Sequence, residues 1–290
     1  MNSKHMMTMA CAAAVCGSVR AELNWNMGEG VTFDETPIVS TEVGLAFDSK
    51  FLSYGLVDNN DPILTPHASM TFVDTLTLGV SSIFDISRYG RKAGYGNRAW
   101  RYQELDPSAG VAYAFTPDEV SWLPTTVELD LTYMYEQHPR VVDDDTQFLT
   151  LTVGLPDLWF EPAFAYERDI DRDDGTYLNL EIGHTFTLIR GDEAGSDDIL
   201  DFRLSAAQGW GDGRRIDAYL EADRSGMMDF CLKGELAWKV TDGVAIAGYV
   251  AYTDYLFDSS LRNRARDYEA TGCWDESWNY TAGCSLSVFF

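Results

Sequence analysis

His67 and Ser69 have the residue types and spacing that nucleophilic catalysis uses. They stand two residues apart in a stretch of alternating pattern, so both side chains would point to one face of a strand. A serine nucleophile needs a base beside its hydroxyl and a third group that orients the base. The sequence identifies no such third group. We therefore expect a polar pair here and no enzyme.

Two acidic runs have the oxygen ligands that a hard cation such as Ca²⁺ prefers. The segment 169–175 begins like a calcium loop, but Gly175 comes one position late and no acid stands at the twelfth position. The second run consists of three aspartates at 143–145. Solvated loops account for both runs, so we expect no resident metal and no other cofactor. Weak calcium binding by the loops is left open.

Three of the five cysteines, Cys231, Cys273 and Cys284, lie beyond the first 21 residues. They form neither a CxxC pair nor a zinc-type spacing. In an oxidising compartment Cys231 and Cys273 could form a disulfide that joins two loops, and the sequence leaves open whether they do. Cys284 falls on an apolar strand face, where a thiol behaves as a small hydrophobe.

Residues 1–21 are predicted to be a cleaved secretory signal peptide. A short polar start with Lys4 precedes an apolar, Ala-rich stretch at 6–19, and Val19 and Ala21 are small residues at the positions that a signal peptidase reads. Loss of Lys4 and Arg20 would leave 19 basic residues against 46 acidic ones. Such an acidic surface repels nucleic acid, so no nucleic-acid partner is expected.

The rest of the chain alternates with a period of two, as β-strands do. Between 176 and 188, apolar residues from Leu178 to Leu188 share one face, with His184 as the exception. No apolar run approaches the roughly 18 residues of a membrane helix, so a membrane-spanning form would be a β-barrel. Twelve alternating segments are predicted at 39–54, 63–73, 75–86, 103–115, 125–137, 146–154, 158–168, 176–189, 199–208, 228–240, 243–256 and 277–290.

The connections between these segments alternate in length. Tight turns are predicted at 73–74, 156–157 and 241–242, and long polar loops lie between them. Short periplasmic turns and long extracellular loops are typical of outer-membrane barrels. We therefore predict an all-β fold: a periplasmic arm at 22–36, then one closed antiparallel transmembrane barrel at 37–290. A further hairpin inside 214–223 would raise the strand count from twelve to fourteen.

The last segment is similar to the final strand of bacterial outer-membrane proteins. The residues of its apolar face run from Trp278 through Cys284 to Phe290. In those proteins a terminal Phe is part of the signal that the barrel assembly machinery recognises. The resemblance implies that Phe290 is an assembly signal, that the assembly machinery and outer-membrane lipid are partners, and that the location is the outer membrane of a Gram-negative-type bacterium.

The first hairpin resembles the opening of a porin-like family of uncharacterised Gram-negative outer-membrane proteins. The family pattern is Ser-x-Tyr-x-x-Arg-Gly, and the segment 49–55 has Phe51 in place of the Tyr and Tyr54 in place of the Arg. The resemblance implies a barrel and its location, without a substrate. The twelve-stranded outer-membrane phospholipases also carry a His and a Ser two residues apart, but here Met70 follows Ser69 where that family has Asn-Gly.

If the alternation is as described, many charged residues point into the lumen, and most are acidic. We expect a narrow porin or passive channel for small solutes with a cation-preferring lumen. A structural or adhesive barrel that has a blocked lumen and acts through its loops is the alternative, and a lipid hydrolase is a third hypothesis; the oligomeric state is not predicted. The predicted lumen residues are Glu42, Asp48, Asp85, Glu128, Asp130, Glu136, Glu161, Glu167, Glu181, Asp201, Arg203, Lys233, Glu235 and Lys239.

Overall fold

A computed structural model describes residues 39–73, 75–86, 101–138, 145–191, 199–267 and 277–290. The predicted signal peptide and arm lie outside these ranges. The described ranges contain β1 (Val39–Asp48), β2 (Phe51–Ser53), β3 (Leu56–Asn59), β4 (Ile63–Phe72), β5 (Leu76–Asp85), β6 (Arg101–Phe115), β7 (Val127–Glu136), β8 (Thr146–Gly154), β9 (Ala163–Asp169), β10 (Thr176–Ile189), β11 (Leu200–Gly211), α1 (Gly213–Leu220), β12 (Gly226–Thr241), β13 (Val244–Asp254), α2 (Ser259–Asp267) and β14 (Trp278–Phe289).

Twelve of these strands form one closed antiparallel barrel, so the predicted fold is confirmed. The ring order is β1, β4, β5, β6, β7, β8, β9, β10, β11, β12, β13 and β14. The first and last strands close the ring, with Leu45 opposite Leu286 and Asp48 opposite Gly283. Closure leaves no free sheet edge, since every barrel strand has two hydrogen-bonded neighbours.

The segment 214–223 is not a hairpin, so the fourteen-strand possibility is wrong. Most of the segment lies in helix α1, which begins where the Asp212 carboxylate accepts a hydrogen bond from the Arg215 backbone N–H. Ile216 and Leu220 are buried one helical turn apart. The loop therefore forms a helix because an N-cap and an apolar face are both present.

The strands β2 and β3 form a small separate hairpin in the long loop that joins β1 to β4. Its two-residue turn consists of Tyr54 and Gly55, with φ angles of 49° and 80°. Two successive positive φ values are the requirement of a type I′ turn, which matches the twist of a hairpin. This hairpin and both helices lie at the long-loop end of the barrel, and the short connections from β4 to β5 and from β12 to β13 lie at the opposite end.

The two faces of the barrel differ in chemistry on every strand. Large apolar side chains point outward and are exposed on all twelve barrel strands, as Leu131 and Leu232 illustrate. Small, polar and charged side chains point inward. Across the described ranges, no helix is both long and apolar enough to cross a membrane.

Aromatic side chains cluster at the short-turn end. Trp122, Trp159 and Phe290 are among the most exposed large side chains in the described ranges. His184 lies on the outward face of β10, and its ring stacks on Trp159 with centroids 4.8 Å apart. His184, the polar exception on the otherwise apolar face of this strand, is therefore accommodated by an aromatic neighbour.

Candidate functional site

The inner wall formed by the five neighbouring strands β1, β4, β5, β6 and β7 is acidic. Two histidines are described on this wall. His67 of β4 has its Nε2 3.4 Å from Glu42 Oε1, and His138, just beyond β7, has its Nε2 3.0 Å from Glu136 Oε1. Sequence reasoning did not select Glu104 and Asp106, although both are buried on this wall. The inward-facing acids are Glu42, Asp48, Asp85, Glu104, Asp106, Glu128, Asp130 and Glu136.

Several of these carboxylates accept hydrogen bonds from neutral hydroxyl groups. Ser81 Oγ lies 3.1 Å from Asp106 Oδ2, and Thr132 Oγ1 lies 2.8 Å from Asp130 Oδ1. The Tyr249 hydroxyl of β13 donates to Asp48 of β1 over Gly283 of the intervening strand β14. A hydroxyl satisfies an oxygen without neutralising its charge, so this wall keeps a net negative charge.

The opposite wall, on β10, β11 and β12, carries the predicted basic residues, and ion pairs engage each of them. Arg203 binds Glu181 with an Nη2–Oε1 distance of 3.2 Å and also contacts Glu161. The pairs Lys233–Glu235 and Lys239–Asp242 have N–O distances of 2.6 and 3.4 Å.

Glu161 and Asp201 complete the predicted lumen residues of this half. Glu161 lies in the turn before β9 because the strand begins at Ala163, five residues after the predicted start. Its carboxylate still reaches Arg203 from that turn. Asp201 lies on β11 directly opposite Ala237 of β12, with its side chain on the inner face.

Small side chains line the inner face of β13 and β14. Ala245, Ala247, Ser285 and Ser287 are between 2% and 8% exposed. Small residues on a wide, open wall would be more exposed than this. The low values therefore indicate that neighbouring side chains approach closely and that the lumen is narrow.

The long-loop end of the barrel is spanned by a folded cap, which we define as the β2–β3 hairpin with helices α1 and α2. Leu56, Ile216 and Leu261 of the cap pack in one apolar core with Met228 of β12 and with Tyr255, which follows β13, and each of these is at most 3% exposed. The Arg264 guanidinium of α2 donates to the Leu220 carbonyl of α1. The cap is thus packed onto the strand ends through a shared apolar core.

The cap crosses the mouth from one wall to the other. Tyr54 belongs to the loop between β1 and β4, and its hydroxyl donates to Glu167 of β9 at 2.6 Å. Six strand positions separate β1 from β9 in either direction around the ring, so the two strands lie on opposite walls. This hydrogen bond therefore connects opposite sides of the barrel.

Arg215 of α1 joins the cap to the wall at the same point. Its side chain is fully buried, and its guanidinium lies 3.0 Å from the Tyr54 hydroxyl, 3.3 Å from Glu167 and 3.4 Å from Asp173. The guanidinium also lies 5.3 Å from the centroid of the Phe148 ring. Burial raises the pKa of Tyr54 well above its usual value, so Tyr54 remains a neutral donor.

The acidic segment 169–175 uses its carboxylates within the protein. Asp169 accepts from the backbone N–H groups of Asp171 and Arg172, both at 2.9 Å. Asp174 forms ion pairs with Arg168 and Arg214. The calcium-like pattern in the sequence therefore corresponds to a loop that is closed by its own hydrogen bonds.

His67 and Ser69 lie on the same inner face of β4. Glu42 of β1 is directly opposite Ser69 and contacts His67. Glu42 thus occupies the place of an orienting acid. Sequence spacing missed this contact because the two residues lie on different strands, 25 positions apart.

Two of the cysteines fall within the described ranges. Cys231 is a buried free thiol on the inner face of β12, beside Ala207, Tyr249 and Ala251. Cys284 is an exposed free thiol on the outer face of β14. Cys273 lies outside the described residues, so its pairing with Cys231 stays a prediction.

No protein-family model matches this chain, and no curated protein matches it in sequence. The chain is similar in structure to an outer membrane channel from Pseudomonas putida F1, at 10% identity and a TM-score of 0.47, covering 91% of this chain and 100% of that one. OmpT of Vibrio cholerae matches at 9% identity and 0.36, covering 87% and 97%. An anion-selective porin from Comamonas acidovorans matches at 9% and 0.34, covering 87% and 98%. Since all three scores are below 0.5, the fold assignment rests on the strand pairing of this chain itself.

Proposed function

We propose that this chain is an outer-membrane channel for small solutes whose narrow, acid-lined lumen prefers cations. The observation that carries the proposal is the acidic wall, which has eight inward-facing carboxylates on four of its five strands and two histidines, His67 and His138, among the described residues. A cleft lined by one sign of charge concentrates counter-ions. Cations would therefore enter more readily than anions.

The outer surface supports a location in a membrane. Large apolar side chains on all twelve barrel strands are between 37% and 65% exposed. Soluble monomers rarely expose continuous apolar patches beyond a few hundred Å². A closed barrel satisfies every backbone group of its strands internally, as the hydrocarbon region of a bilayer requires. On this proposal the short turns face the periplasm and the cap faces outward.

The strand number and the wall residues support a passage for small solutes only. A twelve-stranded barrel lies between the filled eight-stranded barrels and the open sixteen-stranded porins. The low exposure of the alanines on β13 indicates little free cross-section. Ions and small hydrated solutes fit such a passage better than sugars or peptides.

The test is ion selectivity in planar lipid bilayers under a KCl gradient. The wild-type barrel should show discrete conductance steps and a reversal potential of the cation-selective sign. The double variant Glu128→Gln, Asp130→Asn removes two inward-facing carboxyl groups and should move the reversal potential toward zero. Asp118→Asn is the matched control, because Asp118 is an exposed acid in the turn after β6. A folded wild-type barrel without conductance steps would refute the channel.

The cap favours a second candidate, a barrel with a closed lumen that acts through its outer surface. The contact between Tyr54 and Glu167 crosses the mouth, and the cap core beneath it is fully buried. If the cap never opens, no solute passes through the barrel, and the function is carried by the outer loops. The same bilayer recording distinguishes the channel from the closed barrel, since the closed barrel predicts that the wild type shows no conductance steps at any voltage.

A further inference from the structure

We propose that Glu104, Glu136 and His138 bind a divalent transition-metal ion such as Zn²⁺ at the long-loop end of the lumen. Their ligand atoms all lie within 4.8 Å of one another. The inference does not depend on whether the lumen conducts, since a metal can bind at the mouth of an open or a closed barrel.

The distances suit a small metal ion. His138 Nε2 lies 3.0 Å from Glu136 Oε1 and 3.7 Å from Glu104 Oε2. Zinc bonds of about 2.0–2.2 Å in a tetrahedral site place neighbouring ligands roughly 3.4 Å apart. The two separations lie on either side of that value. Small rotations of the side chains would therefore bring the three atoms around one ion.

The backbone holds the three residues in place. Leu105 and Gln137 form a β-bridge with N–O distances of 3.0 and 2.9 Å. In this antiparallel register Glu104 lies opposite His138. Residues next to a bridged pair point to the face opposite that pair, so Glu104 and His138 both point inward. The site is thus assembled by strand pairing.

A second interaction fixes the backbone of His138 just beyond the end of β7. Its N–H donates to Asp145 Oδ1 at 2.9 Å. The Tyr135 hydroxyl donates to the other oxygen of this carboxylate, Oδ2, at 2.6 Å, so Asp145 is itself held in position. Preorganisation of this kind is what a metal site needs from its surroundings.

The donor set selects the class of metal. Two carboxylates and one imidazole keep an excess of negative charge even when the imidazole is protonated, so a dication would neutralise the group. The imidazole nitrogen favours zinc and its transition-metal neighbours over calcium and magnesium. Glu104 is 6% exposed, so its charge is only weakly screened by solvent. Within the described ranges no other group of three such ligands comes together.

Sequence spacing could not have found this group. Glu104 and His138 are 34 positions apart in the chain and become neighbours only through the pairing of β6 with the end of β7. No motif marks them. The sequence signal was limited to Glu136 as an inward-facing acid.

The test is zinc titration of the full chain, refolded in detergent micelles, by isothermal calorimetry, with folding checked by heat-modifiable gel mobility. The wild type should bind one Zn²⁺, and excess Mg²⁺ should not displace it. His138→Ala and Glu104→Gln should each weaken binding at least about tenfold, since even the loss of a partner outside the ligand shell has that effect. His67→Ala is the matched control, because its imidazole meets a carboxylate in the lumen without belonging to the group.

Three results would overturn the proposal: no saturable zinc binding by the folded wild type, unchanged affinity in folded His138→Ala, or equal loss in His67→Ala. Displacement by Mg²⁺ would also reject a transition-metal site. Glu104→Gln keeps the size of the side chain, so a folded variant remains available if the alanine variant fails. A silent bilayer with intact zinc binding would reject the channel alone, and conductance without zinc binding would reject the metal site alone.

Discussion

The cap and the acidic wall differ in how their buried charges are compensated. In the cap, one guanidinium meets two carboxylates and three aromatic rings, and its side chain is fully buried. On the acidic wall, carboxylates accept hydrogen bonds from hydroxyls or lie beside the imidazoles of His67 and His138. A buried charge needs a partner or water. The cap supplies the partner internally, and the wall depends on water or on ions from solution.

The largest expected effect comes from removing the cation of the cap. Arg215→Ala leaves Glu167 and Asp173 without their shared partner in a buried site, which costs about 3–5 kcal/mol of stability. The cap should detach from the wall, and barrel conductance in bilayers should rise. Urea unfolding followed by tryptophan fluorescence measures the first effect, and single-channel recording measures the second.

The neighbouring residue provides the control for this change. Arg214 pairs with Asp174 at 2.8 Å, but both side chains are about 60% exposed. An exposed ion pair contributes at most about 1 kcal/mol. Arg214→Ala should therefore leave stability and conductance nearly unchanged. Equal effects of the two variants would show that the buried network does not hold the cap, and the contrast between cap and wall would fail.

A smaller effect is expected when the phenol that crosses the mouth is removed. Tyr54→Phe keeps the ring in the cap core but deletes the hydroxyl that lies between Arg215 and Glu167. Leaving buried polar groups short of one partner costs about 1–3 kcal/mol. Conductance should rise less than in Arg215→Ala, because the ion pair between Arg215 and Glu167 remains. Tyr219→Phe is a useful comparison, since its ring contacts the same guanidinium. A Tyr54→Phe variant as conductive as Arg215→Ala would mean that the hydroxyl alone holds the mouth closed.

The difference between the two regions also explains which features of the structure could be predicted from the sequence. The acidic wall was predictable because inward and outward residues alternate along each strand, so Glu128 and Asp130 were assigned from pattern alone. Glu104 and Asp106 follow the same alternation on β6, so the pattern could have identified them as well. The twelve-strand count followed from the same pattern.

The cap was not predictable from local pattern. Tyr54, Glu167 and Arg215 come from three loops or strand ends, and 161 positions separate Tyr54 from Arg215. Helix α1 has only eight residues, too few for a clear helical period in a chain that is otherwise β. Its loop reads as polar, and the partners that make its apolar face useful are known only once the barrel is closed. Contacts of this kind can be predicted only after the topology of the barrel is known.

The smallest expected effect concerns the N-cap of α1, which tests whether the cap depends on a helix end as well as on its ion pair. Burial acts to raise the pKa of Asp212, but hydrogen bonds from the backbone of Arg215 and from Thr176 outweigh burial, and the pKa is lowered overall. A carboxyl with a lowered folded pKa adds stability above its unfolded pKa of about 3.9 and loses it as the pH falls through the folded value. Cap stability should therefore decline below about pH 4.

Asp212→Asn separates the charge of this N-cap from its hydrogen bond. Asparagine still accepts from the Arg215 backbone N–H, so at pH 7 the loss should be within about 1 kcal/mol. The variant should also lose the part of the acid dependence that Asp212 contributes. Unfolding in urea at pH 7 and at pH 3, compared between variant and wild type, gives both quantities. An acid dependence identical in the two proteins would assign it to the carboxylates of the wall, and the two regions would then differ in their response to pH as well as in their partners.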